Sequence, residues 1–265
     1  MGQLSFGMPT LIQLPDLESH AALCRRLGLD FVEINMSFPQ YQPEALDDSL
    51  LRRLGEKYGV YFTVHADESS DPCNVNPRIA EVYTDTLCRV LRLAARAGIP
   101  TVNMHLLRGV YVTLPERRTY VYAENEDFYL ENLRRFRQRA EEAVGDSGVK
   151  LCIENTDGYD LPFLLHGLDA LLESPVFGLT FDIGHDHAIG GIDRPVILAR
   201  EERLCHMHMH DGAGTSVHLA LGDGELDIPA YAALARRCGC RVVLETKTPE
   251  ALTASVAYLR EKGLR

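Results

Sequence analysis

The sequence has 265 residues, 46% of them hydrophobic and 25% charged, which is enough apolar side chain to bury a sizeable core and excludes disorder as the main reading. Asp and Glu number 38 against 27 Lys and Arg, a formal balance of −11, which argues against nucleic acid or an anionic membrane as the default partner. No apolar run reaches the about 20 residues of a membrane helix, and the opening MGQLSFGMPT has neither the basic start nor the apolar stretch of a secretory signal, so a cytoplasmic location is expected.

Short β-rich runs alternate with amphipathic helical stretches along the chain, with Gly or Pro between them. In chain order the expected strands are Leu4–Met8, Phe31–Asn35, Tyr61–Ala66, Thr101–Leu106, Lys150–Asn155, Gly178–Ile183, Cys205–His210 and Arg241–Thr246. The expected helices are Leu17–Leu27, Asp48–Tyr58, Pro77–Ala97, Asp127–Val144, Leu161–Leu172, Pro195–Arg203, Pro229–Cys238 and Glu250–Glu261. Gly28, Gly59, Gly98, Gly239 and Gly263 follow helices, where a left-handed cap is wanted. Eight β–α units in this length predict an α/β fold, a closed (β/α)8 TIM barrel forming a single domain over residues 1–265. An open doubly wound sheet is the alternative, but no Gly-rich phosphate turn follows the first strand.

Residues 109–125 break the rhythm after the fourth strand. Val110–Thr113 and Thr119–Tyr122 flank a polar turn and predict an inserted hairpin, either a lid carrying Tyr111, Tyr120 and Tyr122 or a plain surface feature. The seven cysteines are odd in number and scattered, which reads as ordinary reduced thiols; Cys238-x-Cys240 has no second pair to make a metal motif. His20 and His166 sit in helical stretches and are expected at the surface.

Alternation along each strand sorts the ionisable residues. In Cys205–His210 the three histidines His206, His208 and His210 share one face, and Cys205, Met207 and Met209 the other, which is expected to pack on helices. By the same parity Glu33, His65, His105, Glu154, Asp182 and Glu245 face the barrel interior. Six strands then deliver a carboxylate or imidazole near their C-terminal ends, where (β/α)8 enzymes carry their active sites. Burying these groups is costly unless they are paired or bind a cation. The inward positions offer almost no Lys or Arg, Lys247 being the nearest, so a divalent metal is the better answer.

Together FVEIN (31–35), TVHA (63–66), IENTDG (153–158), FDIGH (181–185), HMHMHDG (206–212), HLALGDGELD (218–227) and VVLETK (242–247) resemble, over essentially the whole chain, the xylose isomerase-like barrel superfamily, especially its sugar-phosphate isomerase/epimerase group. The resemblance implies one divalent ion held by Glu154, Asp182, His208 and Glu245, a mostly oxygen donor set suited to Mn, Mg or Co, with Zn also compatible. It implies proton transfer next to a carbonyl through a metal-stabilised enediolate, with Glu154 and Glu245 as the bases. Glu33, His65, His105, His185, His218 and Lys247 are the expected substrate contacts. The partner implied is a small carbohydrate-like molecule; the acidic composition makes nucleic acid a poor partner, the hydropathy predicts no membrane span, and a homo-oligomer stays open.

Two departures matter. Some epimerase relatives place an Arg about six residues after the seventh-strand His, where this chain reads Asp211-Gly212-Ala213-Gly214-Thr215. The more distant endonuclease IV family, a hydrolase, binds three zinc ions on this barrel. His65, His105, Glu154, Asp182, His185, His208, His218 and Glu245 match its ligands, but Ser216 stands where that family has an Asp. A dehydratase on the same scaffold would use the same proton abstraction and then expel water.

Overall fold

Eight parallel strands hydrogen-bond in a ring in a computed structural model of the chain, which describes residues 4–156 and 158–265. Asp157, within the 153–158 motif, and Met1 to Gln3 of the opening segment lie outside the described residues. The barrel strands are β1 (Ser5–Pro9), β2 (Phe31–Asn35), β3 (Tyr61–His65), β4 (Thr101–His105), β7 (Lys150–Glu154), β8 (Phe177–Asp182), β9 (Leu204–Met209) and β12 (Arg241–Leu244). Two hairpins lie outside the ring, β5 (Tyr111–Thr113) with β6 (Arg118–Tyr120), and β10 (Asp211–Ala213) with β11 (Ser216–Leu219). The closing contact pairs β1 with β12, Phe6 opposite Val242, so among the described residues the sheet has no free edge.

Helices α1 (Leu17–Leu27), α2 (Asp48–Tyr58), α3 (Pro77–Ala97), α4 (Val121–Glu124), α5 (Glu126–Val144), α6 (Pro162–Leu172), α7 (Ile183–Ala188), α8 (Arg194–Leu198), α9 (Ile228–Cys238) and α10 (Pro249–Glu261) alternate with the strands. Local chemistry sets their limits. Asp16 accepts the Ser19 N–H at 2.8 Å to start α1, and Gly28 ends it at φ 77°. Pro opens α3, α6, α9 and α10 at the first or second position, where its missing N–H costs no hydrogen bond. The main core lies between the strands' outward face and the helices, with Val32, Ile34, Val64, Val102, Met104, Leu151, Ile153, Leu179, Phe181, Met207, Val242 and Leu244 all at or below 1% exposure.

The structure departs from the expectations at four places. The stretch after β8 is helix α7 rather than loop or continued strand, because the Asp182 carboxylate accepts the His185 N–H at 2.7 Å and caps it. The stretch expected as helix Pro195–Arg203 divides into α8 and a 3-10 turn at Glu201–Arg203. The inserted hairpin is present, but its second strand stops at Tyr120; Tyr122 turns inward, stacks on Tyr129 and donates to Asp71 at 2.6 Å. Of the three tyrosines considered for a lid, only Tyr111 is largely exposed, at 48%. His20 is not at the surface but fully buried, accepting the Leu11 N–H on Nε2 at 2.7 Å and donating from Nδ1 to the Asp16 carbonyl at 2.6 Å. His166 does stay exposed, beside Glu126.

Candidate metal centre

The strand register lines the ionisable groups up across the barrel's C-terminal end. His105 lies opposite Glu154, Asp182 opposite His208, and His208 opposite Val243, two residues before Glu245. One donor atom each from Glu154, Asp182, His208 and Glu245 falls within a sphere where no two are more than 4.8 Å apart. The His208 Nδ1 is the hub: Glu154 Oε1 is 3.2 Å away, Glu245 Oε2 3.4 Å and Asp182 Oδ2 3.9 Å. Glu154, Asp182 and His208 are buried, and Glu245 is the most open at 14%.

Each donor is held from behind. The Nε2 of His208 lies 2.8 Å from Glu33 Oε1, an outer carboxylate on the far ring nitrogen that leaves Nδ1 to the cluster. Glu33 is itself fixed by His206 at 2.7 Å and the Thr63 hydroxyl at 3.1 Å. Asp182 is locked through its backbone: its N–H donates to Asn155 Oδ1 at 2.7 Å, and Asn155 Nδ2 donates to its carbonyl at 3.1 Å. His210 takes the His218 N–H on Nδ1 at 2.8 Å, so its Nε2 carries the proton and faces the Asp182 carboxylate at 3.1 Å. Glu245 Oε1 accepts from Lys247 at 2.8 Å, while its Oε2 is buried with no hydrogen-bond partner among the described residues.

Charge tells the same story. Burial opposes ionisation of Glu154, Glu245 and Glu33. Yet His208, with His105 beside Glu154, Lys247 beside Glu245 and His206 beside Glu33, outweighs it and holds all three carboxyls well below their usual range. Burial likewise disfavours the charged form of His208, but Glu154, Glu33 and Glu245 override it and raise its pKa well above the ordinary 6.5. His65 follows the same pattern, its burial offset by Glu154, and is pushed up to about 9. His218 is pushed down to about 4, chiefly by burial, which leaves it neutral. Three carboxylates converge here, and the cations drawn against them, His208, His65 and Lys247, show that the centre favours positive charge. A carboxylate oxygen without a hydrogen bond and a three-oxygen, one-nitrogen set are donors that fit a hard divalent ion.

The expected substrate contacts divide by depth. His65 and His105 sit with Nε2 atoms 3.3 and 3.4 Å from Glu154 Oε2, forming a second three-residue group that shares Glu154. His185, His210 and His218 form another group at the rim, with His185 40% exposed. His218 is the one described non-glycine residue with positive φ, at 59°, a strain found mostly at functional positions. Lys247 is 58% exposed at the rim. Glu33 is the correction: it is 2% exposed beneath His208 and bonded to His206, too deep to meet a molecule entering from the mouth. His206 is fully buried beside Glu33.

Asn103 is a contact the residue patterns left out. Its amide donates to Glu154 Oε2, and it shares the inward face with His105 in TVNMH, so strand parity would have found it. Asp211 is another: it accepts the N–H groups of Gly212, Gly222 and Leu226 at 2.9 to 3.1 Å, and so shapes the loop that brings His218 over the centre.

A model of the family described as xylose isomerase-like TIM barrel matches residues 21–262. The uncharacterized protein MJ1311 of Methanocaldococcus jannaschii is 25% identical over 238 residues, 84% of this chain and 76% of that protein. Among solved structures, a D-tagatose 3-epimerase-like protein superposes with a TM-score of 0.77 at 22% identity, covering 97% of this chain and 96% of its own. The 3-keto-D-glucoside 4-epimerase YcjR of E. coli gives 0.74 at 16%, covering 98% and 100%. The D-allulose 3-epimerase of Methylomonas sp., in complex with D-allulose, gives 0.72 at 18%, covering 99% and 98%. At these identities the likeness to solved structures is one of fold.

Proposed function

The chain belongs to the xylose isomerase-like TIM barrel family, and from that premise we propose that it is a divalent-metal-dependent isomerase or epimerase of a small sugar, sugar phosphate or keto-polyol, built as one barrel domain over residues 1–265. The observation that carries the reading is the convergence of Glu154, Asp182, His208 and Glu245 within 4.8 Å, with a buried carboxylate oxygen on Glu245 left without a hydrogen bond. These four would hold the ion, Mn, Mg or Co by the hardness of the donors, with Zn also compatible. A bound divalent ion supplies polarisation of a substrate carbonyl and of the neighbouring hydroxyl.

The chain's own groups do the rest. Glu154 and Glu245 both lie close to the His208 ring nitrogen, at 3.2 and 3.4 Å, and are ionised, so each can accept a carbon-bound proton. Two bases on opposite faces of the reacting carbon give epimerisation; one base returning the proton to the adjacent carbon gives ketose–aldose isomerisation. His65, His105, His185, His218 and Lys247 surround the approach and would orient hydroxyl groups. Glu33, with His206, holds His208 in place.

The test is solvent exchange. With Mn²⁺ in D₂O, a panel of ketoses should gain deuterium at the carbon next to the carbonyl, and the exchange should disappear on chelation. Binding should also depend on pH. His208 must lose its proton to ligate, and its folded pKa lies well above 6.5, so Mn²⁺ affinity should rise with pH through and beyond 6.5. Affinity that is flat or falling from pH 6 to 8 would count against His208 as a ligand.

One observation favours a second reading. His65, His105 and Glu154 would be the residues to hold another ion, which would supply the phosphodiesterase chemistry of endonuclease IV. Cleavage of an abasic-site DNA duplex without deuterium exchange would establish that reading. Exchange followed by loss of water would identify a dehydratase.

A further inference from the structure

Strand alternation predicts that Cys205 faces the helices with Met207 and Met209, and it does not. Between β8 and β9 the register slips: Leu179 pairs with Leu204, but Thr180 pairs with His206. Cys205 is the extra residue of this bulge, and a bulge re-aims the side chain it carries. Its Sγ lies 3.1 Å from the Sγ of Cys152, which stands on the inward face of β7 two residues before Glu154.

The strand between them makes the meeting possible. Gly178 on β8 separates the two cysteines, and a Cβ there would stand 2.6 Å from the Cys205 sulfur and 3.4 Å from the Cys152 sulfur. Any side chain at that position would drive the thiols apart. Cys152 is fully buried, whereas Cys205, the second residue of β9, is only partly buried and is the member of the pair nearer to solvent. No disulfide joins cysteines among the described residues.

We propose that Cys152 and Cys205 are a vicinal oxidation site, converted by a hydroperoxide to a reversible disulfide that ties β7 to β9 beneath the metal centre. The Cys205 thiolate attacks a peroxide oxygen, the O–O bond breaks, and the departing hydroxide leaves as water after taking up a proton, giving a sulfenic acid. The Cys152 sulfur, losing its proton, then attacks the Cys205 sulfur; the S–S bond forms, the S–O bond breaks and a second water leaves. Two thiols are oxidised by two electrons and one peroxide is reduced. The sulfurs need to close by only about 1 Å to reach the about 2.05 Å of the bond. Cys205 is also suited to be the attacking sulfur. It is the less buried residue of the pair, and the positive charges of Lys150 and Arg241 favour its thiolate.

The experiment treats the purified full chain with hydrogen peroxide, alkylates free thiols under denaturing conditions and maps peptides without reduction. The expected result is a fall from seven reactive thiols to five, a single linked pair of peptides containing Cys152 and Cys205, and full recovery with dithiothreitol. The oxidised protein should also melt several degrees higher, because the link closes a long loop in the unfolded chain. C205S should retain all six of its thiols under the same treatment. Linkage through Cys238 and Cys240 instead, sulfinic acid at Cys205 without a linked peptide, or seven thiols alkylated after treatment would each overturn the proposal. The wild-type peptide map decides the matter even if C205S does not fold.

Discussion

Replacing Glu154 by Gln is expected to abolish divalent-ion binding and catalysis together while leaving the barrel folded. Glu154 is the one carboxylate shared by two donor groups, facing His208 on one oxygen and His65, His105 and Asn103 on the other. Gln keeps the shape and can still accept from Asn103, but it removes a full negative charge from the centre. A general base of this kind contributes about 10²–10⁴-fold, and loss of the ion adds to that, so turnover should fall by at least about 10³-fold. Calorimetric titration with Mn²⁺ and circular dichroism check the two halves separately. Glu154→Gln retaining tight ion binding would remove Glu154 from the ligand set, whatever happened to the activity. The histidines give a further readout, since His65 loses the carboxylate that holds its pKa near 9 and should titrate lower by NMR.

Gly184→Ala is the second large effect, and it acts without touching any ligand. Gly184 is the second residue of α7, and a Cβ there would lie 1.9 Å from Cε1 and 2.2 Å from Nδ1 of His210. The ring is fully buried and cannot swing into solvent. It must leave its place between Asp182 and the His218 backbone, so one methyl group disturbs a ligand and the strained rim residue at once. Overpacking of this kind costs about 1–3 kcal/mol in stability, and loss of an outer hydrogen bond to a ligand typically costs about 10–100-fold in metal affinity. Thermal melts and Mn²⁺ titration measure the two effects. The double variant Gly184→Ala/His210→Ala separates them: it removes the clash but not the missing hydrogen bond, so stability should recover in part and affinity should not. Recovery of affinity in the double variant would show that His210 does not position Asp182.

Much of this architecture is legible in the residues because each signal is local. Helices α1, α2 and α3 run over the stretches their periodicity predicts, each closed by a glycine in the left-handed region. Alternation along the strands predicts which face Glu154, Asp182, His208 and Glu245 occupy, since a side chain in a regular strand has only two directions to point. Depth is harder. Glu33 lies on the predicted face, but it is the third of five residues in its strand, one layer below the ligands, and its position there makes it a support for His208. Alternation also fails wherever the strand is irregular. The bulge at Cys205 leaves no mark in the pattern of apolar and polar residues, so the inward turn of that thiol becomes visible only in the register.

Helix α7 is hidden for a related reason. Asp182 ends β8 and caps the helix in the same breath, so the two elements overlap with no turn residue between them. His20 shows the opposite case, a signal present but read too simply. It shares the apolar stripe of Leu17, Ala21 and Cys24, and burial is tolerable because Leu11 and Asp16 satisfy both ring nitrogens. The hairpin at Asp211–Leu219 depends on three backbone N–H groups converging on one carboxylate, an arrangement that spacing alone does not reveal.

Anomalous diffraction from a crystal soaked in Mn²⁺ probes the heart of the matter. A site with Glu154, Asp182 and Glu245 oxygens and the His208 Nδ1 all at about 2.0–2.3 Å from the ion is the predicted result. A crystal that takes up manganese elsewhere, or shows no density among those four side chains at saturating concentration, would contradict it.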